Sequence, residues 1–341
     1  MTKGQDPEDQ LVMPEGGPFE AGGRYQALCL SGGGYRGLYT AILLEELERR
    51  AGKQLRECFD LIAGTSIGGI LAIGLAAGIP AHSLRLSFEK HGSAIFPKTN
   101  RILGLKIPRL SLPAFRHRYS NDGLRETIRT ILNDPGEKLT MADAGPALLI
   151  PSVNATTDDA AVFRTSSSDQ TLTLVDAALA TSAAPTYFPE HAIGDENFVD
   201  GGLIANAPDL LAISDGLQAG FRREDIHVLS LGTVETIAGQ RIRPPSGTGY
   251  VTGAKRLFEL TLDAQQRLAL NESRALLGSN YLRIDAIASP DQMRDLGLDR
   301  IDKQSQKTLS ALATASIRDQ LGSEIGRLRG MLGRSAEWMV M

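Results

Sequence analysis

Two short apolar runs, Tyr25–Leu30 (YQALCL) and Phe59–Ile62 (FDLI), each lead directly into a glycine-rich turn and then into a helical pattern. Runs of this kind suit strands covered on both faces, as in a parallel sheet. After the first turn, Leu38, Ile42, Leu43 and Leu47 mark one face of a helix that reaches about Arg50. After the second, the helical run extends from Ile67 to about Ala77 and closes near Gly78-Ile79-Pro80. Strand, turn, helix, repeated, commits the chain to an α/β fold with a mainly parallel central sheet flanked by helices.

The second turn, Gly64-Thr65-Ser66-Ile67-Gly68, has the G-x-S-x-G spacing between strand and helix. A sharp bend there lifts the serine Oγ clear of the backbone, and glycines at 64 and 68 remove Cβ atoms that would collide across it. Ser66 also falls at a helix N-terminus, where exposed N–H groups favour developing negative charge. The residues alone admit two readings, a nucleophile elbow or a turn with a capping serine.

The first turn, Ser31-Gly32-Gly33-Gly34-Tyr35-Arg36-Gly37, contains G-x-G-x-x-G. A dinucleotide site would also need an acidic residue at the far end of the second strand, but Asp60 lies at its beginning. The remaining reading is a backbone N–H cradle for an oxyanion, with Arg36 adding positive charge.

A serine nucleophile needs a base. His227 opens the run Ile226–Leu231, the wrong edge of a parallel sheet for catalysis, and His191 is expected to face solvent in a polar turn. Asp200, followed by Gly201 and Gly202 at the end of a strand, is the better partner, because burial beside a hydroxyl raises a carboxyl pKa. The same D-G-G equally suits a turn aspartate bonded to its own backbone.

Of the 341 residues 42% are hydrophobic, enough for a large core, and a net charge of −4 gives no sign of a DNA- or RNA-binding protein. Cys29 and Cys58 read as buried thiols, and the five histidines have no metal-ligand spacing, so neither metal nor cofactor is expected. No run reaches the length of a membrane span and no secretory signal opens the chain; a cytoplasmic protein is expected.

Residues 1–23 read as a flexible arm, 24–235 as the catalytic core, and 236–341 as a mainly helical part packed on it. Within the core, Ile95 to Ser120 carries Lys98, Arg101, Lys106, Arg109, Arg116 and Arg118 with no acidic residue, interleaved with apolar side chains and three prolines. It reads either as a lid-like excursion over the site or as a basic, solvated insertion.

Taken together, SGGGYRG, GTSIG and DGG resemble, in kind and order, the glycine-rich, nucleophile and aspartate motifs of the patatin-like phospholipase family. Ala180-Thr181-Ser182-Ala183-Ala184-Pro185, Phe188-Pro189 and Asn206-Ala207-Pro208 are similar to its connecting segments, although Ala207 stands where many members carry a second asparagine. The likeness runs from about Tyr25 to Thr233. It implies Ser66 as nucleophile, Asp200 as acid and base, lipid acyl esters as substrate, and action at the inner membrane surface without a metal. The size and the basic excursion also look like the phospholipase effectors of cyclic-oligonucleotide anti-phage (CBASS) systems. That likeness implies a cyclic di- or trinucleotide activator. The six basic residues of the excursion suit either anionic lipid head groups or the activator's phosphates, with Arg101, Lys106 and Arg109 as its candidate contacts, and a homo-oligomer is a further expectation. The alternatives are a carboxylesterase or acyl-CoA hydrolase on the same site, or a non-catalytic nucleotide- or lipid-binding module.

Overall fold

The structure is a computed structural model that describes residues 23–95, 119–134, 136–235 and 250–336. Most of the expected arm, the stretch 96–118 with Arg101, Lys106 and Arg109, and residues 236–249 lie outside the described residues.

The strands are β1 (Tyr25–Leu30), β2 (Leu61–Gly64), β3 (Ala147–Asn154), β4 (Asp159–Arg164), β5 (His191–Ile193), β6 (Glu196–Asp200), β7 (Ile226–Leu231) and β8 (Tyr281–Ile284). The helices are α1 (Gly37–Ala51), α2 (Ile67–Ala76), α3 (Ala81–Ile95), α4 (Asn121–Leu132), α5 (Leu174–Ser182), α6 (Gly202–Ala205), α7 (Asp209–Gln218), α8 (Tyr250–Leu277), α9 (Pro290–Met293), α10 (Lys303–Ser323) and α11 (Ile325–Leu332). One sheet runs in the order β5-β6-β3-β2-β1-β7-β8, with β4 also paired to β3. Strands β3, β2, β1, β7 and β8 are mutually parallel, whereas β4 and β6 run antiparallel to β3 at one side and β5 returns antiparallel to β6.

Why β1 is apolar apart from Gln26, whose amide donates to the Cys58 and Met331 carbonyls, follows from the layers on its two faces. Leu28 and Leu30 pack into the layer formed by α1, α2, α5 and α10, while Tyr25, Ala27 and Cys29 face the layer of α7 and α8. Both sheet faces are therefore covered, and every residue of β1 is buried. Each fully buried leucine of such a core contributes about 1.5–3 kcal/mol. The α2 sequence IGGILAIGLA lacks a polar face because the whole helix is buried. The cysteines are both buried and unpaired.

The sheet does not stop at the boundary expected near residue 235. Strand β8 extends it beyond β7, α10 packs on α1, and α8 packs on α6 and α7. No helix among the described residues is long and apolar enough to cross a membrane.

Candidate active site

At the end of β2 the chain turns through Ser66, whose φ of 54° and ψ of −124° lie outside the ordinary regions for a side-chain-bearing residue. Such a conformation costs about 1–3 kcal/mol and persists only where the surroundings hold it. Here they do. The Ser66 N–H donates to Thr181 Oγ1 at 3.0 Å, and the Thr181 hydroxyl is itself anchored on Pro151 O at 2.5 Å. Thr65 is tied through its N–H to Leu30 O (3.2 Å) and through its hydroxyl to Ala205 O (2.5 Å). A Cβ at Gly64 would run into the Gly68 carbonyl, and one at Gly68 into the carbonyls of Leu30 and Ser31, so both glycines are required by close approach.

Ser66 precedes α2 but makes no capping hydrogen bond with its side chain. Its Oγ instead donates to Asp200 Oδ2 at 2.7 Å. This separates the two readings left open by the turn sequence.

Register explains how Asp200 reaches that place. Ala63 of β2 pairs with Leu149 of β3; three residues further along each lie Ser66 and Ser152. Strand β3 overshoots β2 and carries antiparallel β6, in which Asp200 pairs with Ser152. The return strand thus ends at the level of the elbow. Asp200 is 2% exposed, and its Oδ1 accepts the Gly202 N–H at 2.7 Å. One carboxylate oxygen makes the bond of a turn aspartate while the other faces the serine. Burial raises its pKa to about 6, against the opposing effect of the hydrogen bonds from Gly202 and Ser66. Such a group is still ionised at neutral pH and is a far better proton acceptor than an exposed carboxylate. Gly201 packs against the Pro151 carbonyl, and Gly202 opens α6.

The glycine loop lies beside this pair. Gly32 donates to Asn206 O (2.9 Å) and Tyr35 to Leu298 O (2.8 Å). The N–H groups of Gly33 and Gly34 have no protein acceptor among the described residues, and both glycines line a cavity with Ser66 and Asp200. Gly34 has a φ of +57° and its backbone abuts the Leu298 carbonyl, which excludes a side chain. Gly37 begins α1 against Ile67. The Gly32 carbonyl is held from the other side by the Thr233 hydroxyl at 2.8 Å.

Arg36 is not among the residues that line the cavity. Its guanidinium donates to the carbonyls of Val234 (3.1 Å) and Gly33 (3.4 Å), so it braces the loop. His191 differs from expectation: it is buried at the start of β5, with Nε2 2.9 Å from Asp176 Oδ1. Burial works against the charge on Asp176, yet hydrogen bonds from His191 and Thr173 and the nearby Arg125 hold its pKa below the usual value. His191 is therefore held by a hydrogen bond to the first turn of α5 and lies outside the site. His227 pairs with Gln26 at the opposite end of the sheet, where burial lowers its pKa to about 4.

The cavity walls are carbon-rich. Ile67 and Ile70 of α2, Leu124 of α4, Tyr187, Phe188 and Leu298 enclose it together with Phe258 and Leu262 of α8. Asn206 reaches Gln266 of the same helix at 2.5 Å, and Gln265 caps the Gly202 carbonyl at 2.7 Å. Ala207, in place of a second asparagine, is buried in the apolar layer of α7 and contributes no polar atom. Thr181 falls in a segment similar to the family's connecting ones, but nothing local to the sequence marks its bond to Ser66 or the part that α8 takes in the cavity wall.

A family model described as patatin-like phospholipase matches residues 28–213. The chain is 36% identical over 312 residues to a cGAMP-activated phospholipase of Pseudomonas aeruginosa, covering 88% of this chain and 90% of that one. A cGAMP-activated phospholipase of Escherichia coli is 36% identical over 318 residues (84% and 87%). One of Vibrio cholerae is 35% identical over 323 residues (83% and 88%). The family match takes in loop, elbow and aspartate without a break, and the relatives extend over most of the remainder: this chain belongs to the patatin-like phospholipase family.

Proposed function

We propose that this protein hydrolyses acyl esters of membrane phospholipids and is switched on by a cyclic dinucleotide of the cGAMP class in anti-phage defence. The 2.7 Å contact between Ser66 and a buried Asp200 of raised pKa, both lining an apolar cavity, carries the catalytic part. Ser66 Oγ attacks the ester carbonyl as Asp200 Oδ2 takes its proton. The N–H groups of Gly33 and Gly34, with the N-terminus of α2, receive the oxyanion. Protonated Asp200 then gives its proton to the departing alcohol. In the second half it takes a proton from water as the hydroxide adds to the acyl carbonyl, then returns that proton to Ser66 Oγ as the acyl–serine bond breaks and the fatty acid leaves.

Activation is supported by the likeness to three cGAMP-activated phospholipases over most of the chain. Arg101, Lys106 and Arg109 are the candidate contacts for the nucleotide phosphates, on the strength of six basic and no acidic residues between 95 and 120. The membrane-facing surface is assigned to α8. Its inner side chains Phe258 and Leu262 wall the cavity, while Leu257, Leu260 and Leu268 on its outer side are 66%, 59% and 62% exposed.

The deciding measurement is fatty-acid release from phospholipid vesicles by purified protein with and without cGAMP. Release only with the nucleotide, abolished in Ser66→Ala, is expected. No release in either condition would refute the reading.

A further inference from the structure

Ser182 ends α5 between two residues tied to the catalytic pair. Thr181 accepts the Ser66 N–H, and the Ala183 carbonyl accepts the Asp200 N–H at 3.1 Å. Ser182 is 6% exposed and lines the cavity with Ser66, Asp200, Gly33 and Gly34. Its Oγ nevertheless has no hydrogen-bond partner. A serine in the last turn of a helix commonly bonds back to the carbonyl four residues earlier, here Ala178, and this one does not.

Three other polar side chains that line the cavity are occupied. Ser66 and Asp200 hold each other, and the Asn206 amide is bonded to Gln266. An unsatisfied hydroxyl in a carbon-lined cavity lowers stability, and alanine would fit in its place as it does at 183 and 184. The missing partner is therefore an acceptor brought by the ligand.

We infer that Ser182 is a positioning residue that donates a hydrogen bond to a substrate oxygen outside the scissile ester group. This rests on the phospholipase reading above and adds a specificity to it. A glycerolipid carries further ester and phosphate oxygens a few bonds from the attacked carbonyl, whereas an ester of a hydrocarbon alcohol carries none. Ser182 then favours esters of an oxygen-rich alcohol such as acylated glycerol.

The test compares wild type and Ser182→Ala, with cGAMP present, on two soluble hexanoyl esters: dihexanoyl phosphatidylcholine below its micellar concentration, and 1-naphthyl hexanoate. Loss of one neutral hydrogen bond should lower kcat/KM on the phospholipid roughly tenfold, mostly through KM. Activity on the naphthyl ester should be unchanged, and the melting temperature should hold or rise. Equal loss on both esters, or loss on neither, would overturn the inference. So would a naphthol burst followed by a slow phase in the variant, which would assign the hydroxyl to the deacylating water. If wild type cleaves neither ester, the phospholipase reading itself falls and takes this one with it; cleavage of both by wild type leaves the comparison to judge Ser182 alone.

Discussion

Ser66 and Asp200, 134 positions apart in the chain, meet through a 2.7 Å hydrogen bond between Oγ and Oδ2. That bond exists because Thr181 holds the elbow and because Asp200 ends a strand that returns to the elbow's level.

Removal of either partner should abolish ester hydrolysis, by roughly four to six orders of magnitude in kcat. The double variant Ser66→Ala/Asp200→Ala should be no slower than the worse single one, since the two residues act in one step. Steady-state rates of the three proteins give the answer; multiplicative losses would show that they work independently.

The elevated pKa of Asp200 ties activity and stability to the same pH window. The base must be ionised, so kcat/KM should fall as pH drops through about 6. Stability has the opposite trend. Between about pH 4 and 6 the folded state keeps a proton that the unfolded chain has lost, so wild type loses about 3 kcal/mol as pH rises through this interval. Asp200→Asn escapes that cost. Its advantage in denaturant melts should be small at pH 4, grow up to pH 6 and stay level above; a constant offset across the range would contradict the burial argument.

Gly33→Ala is expected to lower kcat about 100- to 1,000-fold with little change in KM, because the loop donors act on charge that appears only in the transition state. The new Cβ would be driven into the Thr233 side chain and shift the loop. A change confined to KM would mean that the loop grips the ground state.

Membrane docking and nucleotide gating separate by substrate. Replacing Leu257, Leu260 and Leu268 with serine should reduce hydrolysis of vesicles while sparing a soluble ester. Charge removal at Arg101, Lys106 and Arg109 should blunt the cGAMP response on both substrates. Loss of soluble-ester activity in the leucine variant, or an intact nucleotide response in the charge variant, would reverse these assignments.

Much of the site is legible in local sequence. Apolar runs ending in glycine turns place Gly32–Gly34 and Ser66 at one edge of a parallel sheet, and the chemistry of each turn depends on neighbours only a few residues away. Asp200 is recognisable as a candidate on the same grounds. Side-chain direction and long-range pairing are not. Arg36 and His191 show this: each has a charge or ring suited to catalysis, but the guanidinium is bonded to the Gly33 and Val234 carbonyls and the imidazole to Asp176. The same holds for Thr181, Ser182 and the α8 wall at Phe258 and Leu262, which reach the site only through packing. Turn conformation is set by interactions along a few residues of chain. The identity of a hydrogen-bond partner is set by which distant strands pair, and in which register, and only the folded chain decides that.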